Sequence, residues 1–358
     1  MMARKKYTVL DLFCGCGGIS KGFDLADYKI IGGIDFNEDA TKTFQHNFKD
    51  AKVLCTDIST VNDADIVKLY PKVDVIVGGP PCQGFSSANR WQKENDDPRN
   101  KLFFEYLRFV RVLSPKVVLI ENVRGLLTRD NGYAKERIET LLSEMGYRVN
   151  MRILCASDYG VPQDRRRAVI VAIRNDVSTE MFNYELITEK PKVTVVDAIG
   201  ELYQFEKSKK KEYVLTEPAS STYREYLRRT DGLVPDHEVI YPAEKVQERI
   251  SYVPQGGNWQ DVPANLWPTS RNNRHSSAYK RLKEDEQSCT IDTGNAHSNY
   301  FHPLFNRIPS IRESARLQSF PDEFEFIGTR GSKYKQVGNA VPPLMAAAVA
   351  EAIRTYLK

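Results

Sequence analysis

One cysteine of the sequence stands in a pattern that suits a reactive thiol. Cys82 belongs to the run GGPPCQGFS (78–86), which follows the apolar segment Val73–Val77. If that segment is a strand of a parallel sheet, Cys82 lies just beyond its carboxyl end, where open α/β folds bind ligands. Two prolines restrict the backbone before the cysteine, and a polar crevice can populate a nucleophilic thiolate. The pattern therefore favours covalent catalysis by Cys82 over a buried structural thiol.

Two further polar motifs lie next to apolar runs. The motif ENV (121–123) comes directly after Val117–Ile120, and QDRRR (163–167) leads into another apolar run. A desolvated carboxyl group can donate to a ring nitrogen, and guanidinium groups suit carbonyl or phosphate oxygens. Taken alone, Glu121 is explained as well by helix capping, and Arg166 by a solvated charge.

A glycine-rich turn near the start of the chain indicates a bound nucleoside. The run DLFCGCGG (11–18) follows an apolar segment, and Asp35 and Asp57 come at the ends of the next two. Glycines allow a tight turn and close backbone approach, and a carboxylate such as Asp35 can accept hydrogen bonds from ribose. Asp57 can contact an adenine amino group or cap a helix. Ser20 replaces the third glycine of the dinucleotide fingerprint, so this turn alone also fits a dehydrogenase.

Short apolar runs alternate with amphipathic segments over the first half of the chain. The predicted strands are Tyr7–Phe13, Ile30–Ile34, Val53–Cys55, Val73–Val77, Val117–Ile120, Tyr147–Ile153 and Ala168–Ile173. The predicted helices include Ala40–Phe48, Ala64–Tyr70, Leu102–Leu113 and Ala134–Met145. This alternation predicts an α/β fold whose mostly parallel sheet is covered by helices on both faces.

The pattern changes after about Asp176. The segment of about 181–300 combines basic residues with aromatic ones, including Lys207, Lys209–Lys211, Arg224, Arg228, Arg229, Arg271, Arg274, Lys280, Arg281, Tyr213, Tyr223, Tyr226, Trp259, Trp267 and Tyr279. This mixture favours a nucleic-acid surface over a merely solvated face. The prolines of QVGNAVPP (336–343) then start a terminal helix, which we expect to dock on the main core.

Composition limits the other possibilities. The 358-residue chain has a formal net charge of +4 and six cysteines, without a CxxC pair or a second zinc-like pair. We therefore predict no disulfide scaffold and no metal site, and most of the cysteines as small buried thiols. Because no run of about 18 apolar residues occurs, we expect no membrane association and a cytoplasmic protein.

Taken in order, the motifs identify a family. DLFCGCGG, Asp35, Asp57, GGPPCQGFS, ENV, QDRRR, RESARLQSFPDEF (312–324) and QVGNAVPP together closely resemble the cytosine-C5 DNA methyltransferases of prokaryotic restriction–modification systems. The likeness runs from Leu10 to the C-terminal helix except for about 181–285, where that family carries its variable target-recognition region. Several motifs in one order exclude a chance match.

The resemblance implies roles for the polar motifs. Cys82 would attack cytosine C6, and Glu121 would engage N3 and the exocyclic amine, with Asn122 helping to order the Glu121 loop. The QxRxR arginines correspond to Arg165 and Arg167, of which Arg165 would hold cytosine O2 and Arg167 would support the site. Thiolate addition at C6 makes C5 able to accept a methyl group, and the cytosine must first be flipped out of the duplex.

The resemblance also implies the ligand contacts. S-adenosylmethionine, leaving as S-adenosylhomocysteine, would be bound by Phe13, Gly15, Gly17, Asp35, Phe36, Asp57, Ile58, Pro80, Leu102 and Asn339, with Phe13 stacked on adenine and Asn339 completing the pocket. The expected DNA contacts are Ser86, Arg99, Arg228, Arg271, Arg274 and Thr290. The polar loop 84–99 should close over the flipped base.

The implied organisation is a Rossmann-like methyltransferase domain over 1–180, completed by 328–358, and a smaller, irregular, β-containing target-recognition domain over 181–327. Double-stranded DNA is the expected partner of a monomeric, nucleoid-associated enzyme that pairs functionally with a restriction endonuclease without a stable complex. A tRNA cytosine-C5 methyltransferase is the alternative, but the long recognition insert favours the DNA branch. A DNA-binding regulator that has lost catalysis is disfavoured because Cys82, Glu121 and Arg165 are all present.

Overall fold

The chain folds into two compact units. The computed structural model describes residues 6–81, 101–128, 132–206, 213–267, 279–293 and 299–357. The first unit comprises Met1–Tyr159, Arg166–Lys190 and Val341–Lys358, and the second comprises Gly160–Arg165 and Pro191–Ala340. Compared with the expected boundaries, the first unit extends to Lys190, while 160–165 and 328–340 fall in the second.

A seven-stranded sheet forms the centre of the first unit. Its strands are β1 Thr8–Leu12, β2 Lys29–Asp35, β3 Lys52–Cys55, β4 Val75–Gly78, β5 Val117–Val123, β6 Tyr147–Cys155 and β7 Arg166–Arg174. They lie in the order β3-β2-β1-β4-β5-β7-β6. All neighbours from β3 to β5 run parallel, whereas β7 is antiparallel to both β5 and β6. The predicted α/β fold with a mostly parallel sheet is therefore confirmed.

Helices between the strands bury their apolar sides against this sheet. They are α1 Gly18–Leu25, α2 Glu38–Asn47, α3 Asp63–Leu69, α4 Lys101–Leu113, α5 Gly125–Thr128 and α6 Tyr133–Glu144. Asn37 and Asn62 cap the amino ends of α2 and α3 by accepting a backbone N–H three residues on, which explains where these helices begin. The carboxyl ends of β1 to β5 carry the sequence motifs that suggested chemistry.

The second unit is more irregular. Among its described residues are the helices α7 Val195–Ile199, α8 Thr222–Leu227, α9 Glu244–Ser251, α10 Ile311–Leu317 and α11 Arg330–Asn339, and the two-residue strands β8 Tyr213–Val214, β9 Leu233–Val234, β10 Lys280–Arg281 and β11 Tyr300–Phe301. Its interior is unusually polar, because Arg307, Arg312 and Arg316 are almost completely buried. Ion pairs and backbone carbonyls compensate these charges.

The two C-terminal helices belong to different units. In the second, the Tyr334 hydroxyl of α11 donates to the Pro309 carbonyl at 2.7 Å. The last helix, α12 Pro343–Arg354, packs on α1 of the first unit, as expected for a docked terminal helix. A Cβ on Gly22 of α1 would lie 2.4 Å from the Ala346 Cβ, so glycine permits this close approach. No helix within the described ranges is long and apolar enough to span a membrane.

Candidate active site

The proline turn after β4 is anchored by its neighbour in the sheet. The Asn122 side chain at the end of β5 donates to the Pro80 carbonyl at 2.8 Å. A Cβ on Gly79 would lie 3.3 Å from Glu121 Oε2, so glycine lets the turn pass close to this carboxylate. Pro80 itself is buried. The chain therefore enters the segment beginning at Cys82 from a turn held beside Glu121.

Several predicted residues lie outside the described ranges. These are the expected nucleophile Cys82, the expected DNA contacts Ser86, Arg99, Arg271 and Arg274, and the loop 84–99 expected to close over the base.

Glu121 lies within β5 and pairs with a cation. The strand continues past the predicted end at Ile120 because β7 pairs with it up to Val123. Val123 stands opposite Arg167, so Glu121 and Arg167 are diagonal neighbours on one face of the antiparallel ladder. Arg167 Nε lies 3.0 Å from Glu121 Oε1, and the two side chains are only 13% and 16% as exposed as they could be, Glu121 having the smaller value. The result is a half-buried carboxylate whose orientation depends on Arg167.

The two arginines of the QxRxR motif differ from expectation. Arg165, expected to hold cytosine O2, is 2% exposed and belongs to the second unit. Its guanidinium donates to the carbonyls of Ile291 and Gly338 at 3.0 and 3.1 Å. Guanidinium hydrogens committed to backbone carbonyls in an interior serve to hold that backbone together. Arg167, expected only to support the site, is the arginine that contacts Glu121.

The glycine turn after β1 adopts left-handed backbone conformations. Phe13, Gly15 and Gly17 have φ values of 59°, 51° and 99°. The Asp35 carboxylate accepts the Gly15 and Asn37 backbone N–H groups, each at 2.9 Å, and so ties the turn to the end of β2. Burial raises the pKa of Asp35 above its ordinary value. The backbone of this turn and the Asp35 carboxylate therefore lie together where the sequence predicted a ribose site.

The other expected cofactor residues have mixed environments. Phe36 is 77% exposed, an unusual position for an aromatic ring beside a buried strand. Phe13 and Leu102 are partly buried against the core, and Ile58 is buried in it. Asp57 is exposed and accepts the Ser59 backbone N–H at 2.9 Å, so it caps the 3-10 helix Ile58–Thr60, the simpler of its two expected roles. This hydrogen bond lowers the pKa of Asp57.

These surroundings fit the adenosine part of S-adenosylmethionine. An exposed aromatic ring, two carboxylates at neighbouring strand ends and a glycine turn are the groups that a purine and a ribose require. Asn339, expected to complete the pocket, is an exposed residue at the end of α11 in the second unit.

Two arginines of the expected nucleic-acid surface have partners within the second unit. Arg228, an expected DNA contact, directs its guanidinium to the Glu201 carboxylate, with Nε 3.1 Å from Oε2. Its side chain is 14% exposed. Arg224 bonds to the carbonyls of Val196 and Asp197. An arginine that pairs with a buried carboxylate stabilises the fold, and a DNA contact by Arg228 stays a prediction.

Two aromatic residues of the expected surface and Thr290 also have contacts within the protein. Tyr213 and Tyr223 are buried at 3% and 8% exposure. These two rings therefore pack in the interior and are unavailable for stacking on bases. Thr290 is half-buried, and its hydroxyl donates to the Asp164 carbonyl at 3.0 Å, which leaves its expected phosphate contact a prediction.

The cysteines within the described ranges are all free thiols. Cys14, Cys16 and Cys155 are buried, Cys289 is half-buried and Cys55 is exposed. Burial raises the pKa of Cys16 to about 12 and that of Cys289 to about 11, so both stay protonated. Among the residues that the structure describes, no three His, Cys, Asp or Glu side chains form a metal-binding group.

Comparison with known proteins decides the family. Residues 7–355 match the family described as C-5 cytosine-specific DNA methylase. The chain belongs to this family. The methylase is 38% identical to the type II methyltransferase M1.HphI of Haemophilus parahaemolyticus, over 97% of this chain and 86% of that protein. It is 35% identical to the type II methyltransferase M.DdeI of Desulfomicrobium norvegicum, over 98% and 89% of the two chains.

A solved structure agrees with this assignment. The crystal structure of a prophage-encoded protein of Escherichia coli, described as a DNA modification methyltransferase, superposes with a TM-score of 0.81 at 25% identity. The superposition covers 98% of the methylase and 99% of that chain. The predicted family and activity are therefore confirmed: this chain is an enzyme that methylates cytosine in DNA at C5.

Sequence reasoning gave no role to Asp11 and Ser20 of the methylase. Asp11 is 1% exposed, and the Ser20 hydroxyl donates to its Oδ2 at 2.6 Å. The available signal was the sequence of β1, TVLDL, in which an acid stands between the apolar residues of a mostly buried strand.

Proposed function

We propose that this enzyme transfers the methyl group of S-adenosylmethionine to C5 of a cytosine flipped out of duplex DNA, through a transient bond between Cys82 and cytosine C6. The observation that carries this proposal is the Glu121 carboxylate, held at 3.0 Å by Arg167 beside the turn that leads to Cys82. A carboxyl group presented at the edge of a parallel sheet, next to a nucleophile-bearing turn, suits recognition of a pyrimidine ring edge.

The reaction divides between two polar groups. The Glu121 carboxylate takes up a proton when the cytosine binds and donates it to N3 as the Cys82 thiolate adds to C6. The π electron pair of the C5–C6 double bond then moves to C5. C5 takes the methyl group, a base or water removes the C5 proton, and elimination across C5–C6 releases the thiolate. Asn122 assists by fixing the Pro80 carbonyl and with it the approach of the Cys82 segment.

Arg167 takes the role that the resemblance had suggested for Arg165. Its guanidinium orients Glu121, and its remaining N–H groups suit a carbonyl oxygen such as cytosine O2. Arg165 instead stabilises the second unit by bridging Ile291 and Gly338.

Bound S-adenosylmethionine supplies an electrophilic methyl group. The resemblance stacks adenine on Phe13, but Phe13 is partly buried against the core whereas Phe36 is 77% exposed. We therefore assign the adenine to the ring of Phe36 and the ribose to Asp35 and the glycine turn. Phe13, Asp57, Ile58, Pro80 and Leu102 are the other contacts on the first unit. Gly17 completes the assignment. In this role the chain's own residues bind, orient and exclude water from the donor.

The biological role follows from the relatives' names. Because both relatives are called type II methyltransferases, we propose that the enzyme protects host DNA in a restriction–modification system. It would act as a cytoplasmic monomer that shares a recognition sequence with an endonuclease and forms no stable complex with it.

The decisive experiment uses a mechanism-trapping substrate. A duplex carrying 5-fluorocytosine at the target position should stay attached to the enzyme, because fluorine cannot leave as a proton does. Bisulfite sequencing of DNA from expressing cells first identifies that position and its flanking motif. Mass spectrometry should then find the adduct on Cys82, and Cys82→Ala should form none. Absence of an adduct with cofactor and cognate duplex present, or methylation of tRNA alone, contradicts the proposal.

A further inference from the structure

Asp11 is a buried acid in the middle of the sheet. It lies on β1 between Gly33 of β2 and Val77 of β4, with 1% of its surface exposed. Oδ2 accepts the Ser20 hydroxyl at 2.6 Å, whereas Oδ1 has no hydrogen-bond partner among the described residues. A carboxylate so sparsely hydrogen-bonded costs free energy in a protein interior, which calls for a compensating function.

The surroundings of Asp11 disfavour its charge. Burial raises the pKa of Asp11 to about 7, the Ser20 hydrogen bond opposes this rise, and the nearby Asp35 carboxylate adds to it. The other titratable groups that interact with Asp11 are the thiols of Cys14 and Cys16 in the turn and the Tyr106 hydroxyl of α4. Every one of these is neutral or negative, so Asp11 has no cationic partner among them.

The pair connects the two elements on either side of the glycine turn. Asp11 belongs to β1 and Ser20 to the first turn of α1, so their hydrogen bond closes the backbone that contains Phe13, Gly15 and Gly17. Phe13 is held in the left-handed region at φ 59°, where a residue with a side chain is strained by about 1–3 kcal/mol. Such a conformation persists only when its surroundings enforce it. The Asp11–Ser20 hydrogen bond spans the turn that contains Phe13 and so helps to enforce it.

The bond also explains the departure from the dinucleotide fingerprint. A third glycine at position 20 would let helix and strand approach closely. Here Ser20 is completely buried and joins the two elements by a hydrogen bond to a carboxylate. The helix position is thereby set by a specific polar contact in addition to packing.

We propose that Asp11 and Ser20 are positioning residues, which hold the glycine turn in the conformation that binds S-adenosylmethionine. This inference rests on the proposed cofactor site. The two side chains act through the turn and touch neither the reacting cytosine nor its nucleophile.

The test is a double-mutant cycle with Ser20→Ala, Asp11→Asn and both changes together. Ser20→Ala should raise the KM for S-adenosylmethionine about tenfold, which is the upper end of the effect usually found for one hydrogen bond. The kcat at saturating cofactor and duplex should change by less than about twofold. Both single changes weaken the same hydrogen bond, so their effects should not add. The double variant should therefore bind S-adenosylhomocysteine with about the affinity of Ser20→Ala, measured by calorimetry.

The matched control is Tyr28→Phe, which removes another buried hydrogen bond of the first unit, from the Tyr28 hydroxyl to the Ala350 carbonyl at 2.9 Å. It should lower the Tm and leave the KM for the cofactor unchanged. If the Asp11–Ser20 pair merely stabilised the fold, Ser20→Ala would likewise lower the Tm and leave the KM unchanged. Ser20→Ala with a control-like KM, or additive effects in the cycle, therefore overturns the inference.

Asp11→Asn supplies a second readout. Because the folded-state pKa lies above the ordinary value of 3.8, the folded protein binds the extra proton between these values, and the Asp11 contribution to stability falls as pH rises through that window. The Tm of Asp11→Asn relative to wild type should therefore increase from pH 5 to pH 8. If Ser20→Ala fails to unfold cooperatively, Asp11→Asn tests the inference by itself. A raised KM for the cofactor with a retained Tm supports a positioning role, and an unchanged KM overturns it. A wild-type enzyme without cofactor binding would refute the proposed function itself.

Discussion

Removing the guanidinium that orients Glu121 tests the active-site geometry most directly. Arg167→Met keeps the length of the side chain but removes the contact of 3.0 Å to Glu121 Oε1. At that distance the Coulomb attraction is about 5.5 kcal/mol for an effective dielectric constant near 20. Desolvation of both groups offsets most of it, so the net value of a charge-assisted hydrogen bond is about 1.5–3 kcal/mol.

That free energy corresponds to a rate reduction of about 10- to 150-fold if the contact is made in the transition state. Single-turnover methylation of a cognate duplex, at saturating cofactor and DNA, measures it. A cycle with Glu121→Gln should show strong coupling, because each change removes the same contact.

Arg152→Met is the matched control. Arg152 lies on β6 of the same sheet and pairs with Glu185 at 2.8 Å, but these side chains are 46% and 75% exposed. Such surface pairs contribute little, so the rate should change by less than about twofold. Equal effects of the two arginine changes, or additive effects of Arg167→Met and Glu121→Gln, would refute the argument that Arg167 orients the carboxylate.

Three further outcomes follow from the structure. Asn122→Ala, which frees the Pro80 carbonyl, should lower kcat about tenfold with little change in the KM for DNA, measured by steady-state kinetics. Arg228→Ala should lower the Tm and leave the salt dependence of DNA binding unchanged in a titration, because this guanidinium is occupied within the fold. Arg307→Met should destabilise the enzyme by about 3–5 kcal/mol in denaturant titrations, because the buried Glu313 carboxylate loses its arginine partner.

The last of these effects should depend on pH. Burial raises the pKa of Glu313, but the Arg307 charge outweighs it and lowers that pKa well below the ordinary 4.5. The pair therefore stabilises the folded state above about pH 4.5, and this stability is lost as pH falls through the lowered pKa. In Arg307→Met the guanidinium charge no longer outweighs the burial of Glu313, so the deficit should be larger at pH 8 than at pH 5. A pH-independent deficit would contradict this account.

Local sequence determined much of this protein. The apolar runs identified all seven strands of the sheet, since residues buried on both faces of a parallel sheet form continuous apolar segments. The motifs after those runs placed Glu121 and Asp35 at strand ends because parallel strands share one carboxyl edge. The order of the motifs was enough to identify the family.

Tertiary structure alone decided which charged side chains are available. Arg165 and Arg167 are two positions apart in the sequence, yet one bonds to backbone carbonyls in the second unit and the other orients Glu121. Arg228, which we expected at a DNA surface, pairs with Glu201 of the second unit. Asp11 received no role from the sequence, although it is an acid buried in the sheet. Residue type and spacing specify what a side chain is able to bind, whereas its actual partner depends on long-range packing, which brings together groups far apart in the chain.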